Sequence, residues 1–385
     1  MIAILKREWK SYFQNITGWL FIAAVLALYG LYFLAYNLRA GYPYVSYTLS
    51  AISFIMLIAV PILTMRSMAE ERHSRTDQLV LTAPVSLGKM IFGKFLAMVG
   101  VFTVAVAVIA VTPLVLAAFG TVPMGENYVA VLGFWLYGCT CIAVGMLASA
   151  LTESQVIAAV VAFAFLFLGY MMNSITGLIG DHLITKVLGA YDLYTPLQSF
   201  MSGCLDLTGV VYFVSVTALC LFLTCQCVQK RRWSMTTKKL TTGMFSVAMI
   251  VVGFAVAVAV NMVVKEMPSS WTAVDATSTK LYSLTDTTKD YVKNLSQDVT
   301  IYVLSSEKSA DSTLAETLQR YEDLSKHLNV VYKDPAKSPN FYQQYTDSAP
   351  SQNSMIVVSD ARSRVVDYSD IYEYSYDYST YSSSV

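Results

Sequence analysis

Seven long apolar runs remove this chain from the soluble folds. They lie at about 16–36, 45–65, 95–118, 128–151, 155–173, 210–228 and 243–264. Each is roughly 18–25 residues, the length a helix rising ~1.5 Å per residue needs to cross ~30 Å of hydrocarbon. A mean hydropathy of +0.52, with only 14% charged residues, fits that reading. The expected fold is a polytopic all-α membrane bundle, six spans plus one anchor helix, followed by an extracytoplasmic α/β domain. Thr152, Glu153 and Ser154 alone separate the fourth and fifth runs, which predicts a tight antiparallel hairpin. Net charge is zero, so no basic surface points to nucleic acid.

Orientation follows from the lysines and arginines, which gather on the cytoplasmic side of membrane proteins. One set of flanks carries Lys6, Arg7, Lys10, Arg66, Arg72, Arg75, Lys89, Lys94, Lys230, Arg231, Arg232, Lys238 and Lys239; the opposite short loops carry Arg39 and Lys186. The amino terminus is therefore expected in the cytoplasm and, after seven spans, everything beyond Val264 outside. Residues 1–15 read as an interfacial helix with Ile2, Leu5, Trp9 and Phe13 on one face and Lys6, Arg7 and Lys10 on another. No cleavage site follows, and the apolar run is too long for a signal peptide, so the segment is expected in the mature protein. The resulting division is 1–15 interfacial helix, 16–228 six-span domain, 229–242 basic cytoplasmic linker, 243–264 seventh span, 265–368 outer domain and 369–385 tail.

The outer stretch from Ile175 to Thr208 is amphipathic and is expected to lie on the membrane surface, capping the bundle. Thr195 would cap a short helix there, with Pro196 at its first position. Beyond Lys265 the composition turns to Ser, Thr, Asp, Lys and Tyr. Helices are expected at Leu284–Leu295, with Ser283 and Asp286 as a capping box, and through Leu314, Leu318, Tyr321, Leu324 and Leu328. Strands are expected at Val299–Leu304, Asn329–Tyr332, Met355–Val358 and Val365–Tyr368, with a short helix at Pro339–Tyr345. The order strand–helix–strand–helix–strand–strand is that of a thioredoxin-like domain, with a flavodoxin-like sheet as the alternative. A dithiol site after the first strand would need two cysteines; Ser305, Ser306, Glu307 and Lys308 stand there instead. The Tyr/Ser/Asp-rich tail after Tyr368 cannot bury a core and is expected to be disordered or strand-edge material.

Most chemical motifs fail on inspection. Gly88 to Lys94 meets the first seven positions of a phosphate-binding loop, but Phe95 replaces the hydroxyl residue that would hold Mg²⁺. The segment reads instead as the basic start of the third span, with Lys89 and Lys94 at the lipid headgroups. The spans are expected to hold essentially no ionisable residues, Glu153 and Asp206 falling at span ends, which disfavours an ion-coupled transporter. Neutral Ser149, Thr140, Thr112 and Asn173 are expected to bond between helices. All six cysteines precede residue 230 with no zinc spacing, and His73, His182 and His327 lie on different segments; no metal and no directly bound cofactor is expected. No catalytic constellation is visible.

The stretch from Glu70 to Ser86 is the informative one. It reads Glu70, Glu71, Arg72, His73, Ser74, Arg75, Thr76, Asp77, Gln78, Leu79, Val80, Leu81, Thr82, Ala83, Pro84, Val85, Ser86: an acidic then apolar helix that ends before a proline. Held between two spans, it is a suitable lever for a cytoplasmic partner. It resembles the pattern of type-2 ABC exporter permeases, with Thr76, Leu79, Leu81, Thr82, Pro84, Val85, Ser86, Gly93 and Lys94 matching and Arg75 standing where that family has glycine. The resemblance implies that Glu70, Glu71, Arg72, Thr76, Asp77, Leu79, Leu81, Thr82 and Pro84 form the helix that couples to a separate ABC ATPase, which would carry the ATP and Mg²⁺. Lys6, Arg7, Glu8 and Trp9 match that family's elbow helix. The region from Lys280 to Lys289, with Asp298 to Tyr302, resembles the auxiliary subunit of Gld-type gliding-motility transporters. The resemblance thus implies a fused permease and auxiliary subunit in a bacterial plasma membrane. It further implies a second permease copy or homologue, and relatives that continue into a larger outer domain and another span; an envelope partner for the outer domain belongs to the rival reading. The runner-up reading is a membrane-anchored scaffold of the cell envelope.

Overall fold

The structure is a computed structural model that describes residues 2–74, 86–179, 188–231, 239–265, 267, 272–277, 284–306, 309–359, 362–371, 375–377 and 382–384. The chain divides into two compact units, Met1–Glu266 and Met267–Val385.

In the first unit the helices are α1 (Ile2–Gln14), α2 (Ile16–Phe33), α3 (Val45–Thr64), α4 (Arg66–His73), α5 (Leu87–Ile109), α6 (Thr112–Ala117), α7 (Met124–Leu151), α8 (Gln155–Ile179), α9 (Tyr194–Met201), α10 (Leu207–Arg231) and α11 (Lys239–Lys265). Among the described residues, seven stretches are long and apolar enough to cross a membrane: 16–39, 45–73, 87–117, 124–151, 155–179, 207–229 and 248–265. All seven expected runs are present, but several are longer than their apolar cores. Helix α5 begins eight residues before the predicted third span, because Gly88, Lys89 and Lys94 do not stop a helix that Ser86 starts in extended conformation. The Gly88–Lys94 motif is therefore helical throughout, without the loop that a phosphate-binding motif requires. Helices α10 and α11 likewise reach into the predicted 229–242 linker, since its flanks hold no proline or turn former.

Helix α7 is the most enclosed span. It packs against α3, α8 and α10, while α11 reaches the bundle through α10. Polar side chains fasten these contacts. Thr140 donates to the Phe213 carbonyl at 3.2 Å and meets Thr217 at 3.1 Å; Tyr29 and Thr112 share a 2.6 Å bond; Asn261 on α11 donates to Ser215 on α10 at 2.7 Å. At one end of the bundle a π-helical turn, Leu34–Arg39, ends the first span. Buried Asn37 there donates to the Tyr42 and Tyr44 carbonyls and accepts from Thr48. Asn127 accepts from the Val45 amide and donates to the carbonyls of Pro43 and Pro123. Together they satisfy the backbone of the α2–α3 connection, which apolar surroundings would otherwise leave unpaired at about 1–3 kcal/mol per group.

The segment expected on the membrane surface is partly inside the bundle. Helix α8 continues to Ile179, and residues 180–187, with Leu183 and His182, lie outside the described residues. Leu193, Leu197 and Phe200 are fully buried, and Phe200 lies where a Cβ on Gly133 of α7 would fall. Leu193 holds the cap position of α9, and it is Asp192 just before it that accepts from the Tyr194 and Thr195 amides; Thr195 is already helical. A carboxylate at a helix start competes well for these amides because it accepts several at once.

The second unit is built on a four-stranded sheet of β1 (Val299–Val303), β2 (Leu328–Tyr332), β3 (Met355–Ser359) and β4 (Ser363–Val366), in the order β2-β1-β3-β4. Strand β1 runs parallel to β2, with Ile301 opposite Val330, and antiparallel to β3, with Ile301 opposite Val357. Helices α12 (Asp286–Lys293) and α13 (Ser312–Leu324) supply Val292, Leu314 and Leu318 to a core with Ile301, Val303 and Leu328. Thr285 caps α12 by accepting from the Thr288 amide, so the cap lies two residues after the expected Ser283, which is outside the described residues. Tyr302, on the other face, meets Phe341 edge-on at 4.9 Å between ring centroids, and Phe341–Gln344 is a 3₁₀ turn, shorter than the expected helix. In the tail, Ser375–Asp377 pairs antiparallel with Ser382–Ser384, a short ladder in keeping with the strand-edge alternative to disorder.

Asp367 ties the end of β4 to the loop before β3. Its carboxylate accepts from the Ser351 hydroxyl at 2.8 Å, and from the Ser351 and Ser369 amides, which holds it well below the usual carboxylate range. A depressed folded value gives stability that is fully present above the unfolded pKa of about 3.9 and is lost as pH falls through the folded one. Thermal unfolding of this unit should therefore show destabilisation of the wild type as pH drops from about 5 to 2, and less of it in Asp367→Asn.

Candidate functional site

Helix α4 is where the first unit concentrates its charge. It begins at a break in the second span: Pro61 lacks an amide hydrogen, and Met65 forms a turn before the chain resumes as α4. The first amides of a helix have no partner within it. Ser149 of α7 supplies one, its hydroxyl accepting from the Met68 and Ala69 amides at 3.1 Å each while donating to the Met65 carbonyl at 3.1 Å. One fully buried hydroxyl thus uses its single hydrogen and both lone pairs on the break.

Along α4, three charges reach three different parts of the bundle. Arg66 makes a two-pronged bond to Glu70, both at 2.7 Å, and donates to Thr17 of α2 at 3.2 Å. Arg72 meets Glu153 of the α7–α8 turn at 2.6 Å. Glu71 accepts from Lys94 of α5 at 2.6 Å, and Lys94 also donates to the Ser67 carbonyl at 3.0 Å. The Lys94 side chain is only 3% exposed, and Glu8 of α1 lies 3.7 Å from its ammonium. Arg7 closes the group, 2.7 Å from Glu8 and 3.7 Å from Glu71. The bond to Glu8, with the charges of Glu8 and Glu71, raises the affinity of the Arg7 guanidinium for its proton. Beside them, burial pushes the Tyr12 phenol up from its ordinary value.

Lys94 does not extend to headgroups as its position in the sequence predicts. It is turned inward, because α5 starts early enough to put it about two turns inside the helix and facing α4. The spans therefore do hold an ionisable residue, and it is paired. A buried ion pair gives little net stability, yet removing one partner costs about 3–5 kcal/mol because the other charge is left without compensation. Helix α1 packs accordingly. Ile4, Tyr12 and Phe13 lean on the bundle, and Glu8 sits among them on the packed face, while Ile2 is exposed.

Of the residues predicted to couple to a partner, Glu70, Glu71 and Arg72 lie on α4 and each pairs within the bundle. Thr76, Asp77, Leu79, Leu81, Thr82 and Pro84 lie outside the described residues. Sequence reasoning missed the link of Glu71 to Lys94 and Glu8, and the roles of Asn37 and Asn127. A lysine within the first two turns of an otherwise apolar helix, with a glutamate pair upstream, is the signal that points to the first.

Seven membrane-length helices around a well-packed bundle define a multi-pass membrane protein. Residues 36–228 match the ABC-2 family transporter protein, and the chain belongs to that family: it carries the permease component of an ABC transporter. Residues 278–371 match a second family, a domain of unknown function designated DUF7088. No curated protein matches the chain.

Proposed function

We propose that this chain is the permease subunit of an ATP-driven exporter, and that residues 66–86 transmit the movement of a separate cytoplasmic ABC ATPase to the bundle. The observation that carries this reading is α4. It leads directly into the Thr76–Pro84 segment; its side chains bond to α1, α2, α5 and the α7–α8 turn, and its first amides to Ser149 of α7. A push on that segment is delivered to five parts of the bundle at once. In this reading the amino terminus is cytoplasmic in a bacterial plasma membrane, two permease units enclose the path, and the ATPase holds ATP and Mg²⁺. The membrane-anchored scaffold remains the rival, and it requires no ATPase.

We assign the second unit to the outer side as a thioredoxin-like module without dithiol chemistry, fused to the permease as a Gld-type auxiliary domain. The β2-β1-β3-β4 order with an antiparallel β3 supports the thioredoxin-like form over an all-parallel flavodoxin-like sheet.

The test is co-purification from native membranes. An ABC ATPase is expected to accompany the wild-type chain, and to be lost when residues 76–84 are replaced by a Gly/Ser linker of equal length. Retention of the ATPase by that variant sinks the coupling assignment, and absence of any ATPase from the wild type favours the scaffold.

A further inference from the structure

We propose that Lys94 is a positioning residue that yokes the amino-terminal helix α1 to α4, so that the coupling segment and α1 move as one body. The inference rests on the coupling reading above and deepens it. Lys94 belongs to α5, yet its ammonium lies between two carboxylates from different helices, Glu71 of α4 at 2.6 Å and Glu8 of α1 at 3.7 Å. Arg7 spans the same two helices from the other side. Two cations and two anions alternate, so the group is neutral as a set and each charge depends on its neighbours staying in place. Burial makes that dependence strong for three of the four, since the Lys94 side chain is 3% exposed and those of Glu8 and Glu71 are 17% and 21% exposed, while Arg7 at 60% faces solvent. Charges with so little water around them are not screened and cannot be separated by a few ångströms at low cost.

The arrangement is more than a fastening of α5 to α4. The Ser67 carbonyl, which also accepts from Lys94, fixes the ammonium against the α4 backbone, and the 3.7 Å approach of Glu8 is the only reach of that ammonium across to α1 among the described residues. Glu8 lies on the packed face of α1 between Ile4 and Tyr12, where an apolar residue would serve packing better. A carboxylate there has a use if α1 must follow α4. Pushed at the 75–85 segment, α4 would carry Glu71, Glu71 would hold Lys94, and Lys94 would draw Glu8 and α1 along.

The experiment uses the full complex, permease with its ATPase, reconstituted in liposomes and supplied with MgATP. It reads the part of ATP hydrolysis that depends on the permease, together with ATPase retention and thermal unfolding. Glu71→Gln with Lys94→Met removes both buried charges, so the fold and the retained ATPase are expected to stay near wild type while permease-dependent hydrolysis falls roughly tenfold. Arg7→Gln with Glu8→Gln removes one cation and one anion, leaves the Glu71–Lys94 pair intact and cuts both contacts to α1; a loss of about threefold is expected, at a melting temperature near that of wild type. A merely structural role would change unfolding rather than the hydrolysis that depends on the permease. Wild-type hydrolysis in Arg7→Gln with Glu8→Gln overturns the yoke, whatever the Glu71→Gln, Lys94→Met variant does. A wild-type complex in which the permease leaves hydrolysis unchanged overturns the coupling reading, and the yoke with it.

Discussion

Replacing Ser149 with alanine is expected to lower the stability of the first unit by about 1–3 kcal/mol, although only one oxygen is removed. The oxygen serves three backbone groups at the α3–α4 break, the Met68 and Ala69 amides and the Met65 carbonyl. The site is fully buried, so water cannot take over. Unpaired amides of this kind cost far more than an ordinary hydrogen bond contributes. Thermal unfolding in detergent checks the magnitude. The direction of α4 should also loosen, seen as faster hydrogen exchange over residues 66–73. Thr64→Ala, one turn away, is a fair comparison: its hydroxyl donates to carbonyls of its own helix, Val60 at 3.0 Å and Pro61 at 3.5 Å, so its loss leaves no amide exposed. Equal destabilisation by the two changes would contradict the account given for Ser149.

Gly100→Leu is expected to release α1 from the bundle. A Cβ at Gly100 would fall 1.6 Å from Cζ3 of Trp9, and 2.6 Å from its Cε3. No small shift of a flat indole relieves such an overlap, so Trp9 must leave its seat on α5. Overpacking of this kind costs about 1–3 kcal/mol where neighbours can yield. Here the yielding element is α1 itself, held otherwise by Glu8 and by Ile4, Tyr12 and Phe13. Hydrogen exchange over residues 2–14 should rise sharply in Gly100→Leu and fall back in Gly100→Leu with Trp9→Ala, where the leucine refills the space the indole vacates. If the double variant exchanges as fast as the single one, the packing of Trp9 is not what holds the helix.

These two sites show where reading the sequence stops. Span number, approximate limits and the α/β character of the second unit follow from hydrophobic period, because each side chain announces its preference for lipid, core or water independently of the others. Span ends are less legible. Leu87 to Lys94 belongs to α5 even though it carries two lysines, since a half-buried glutamate from α4 offsets one of them. Leu193, Leu197 and Phe200 looked like surface residues of an amphipathic loop, and became core once Gly133 left room for Phe200 on α7. Asp192 overtook Thr195 as the acceptor at the start of α9 because local geometry, and not residue type alone, decides which oxygen reaches the free amides.

By itself, then, the sequence determined that the chain must be a many-span membrane protein with a polar α/β appendage, and it marked Glu70–Ser86 as the segment unlike a simple turn. These are consequences of composition and period along the chain. The tertiary structure decided which charges meet. Glu8, Glu71 and Lys94 are separated by 63 and 23 positions, and nothing in their spacing pairs them. They meet because α1 packs on α5 while α4, its first amides held by Ser149, runs beside both. Attraction between charges depends on the distance between them and on the absence of water, and only the folded bundle sets those two quantities.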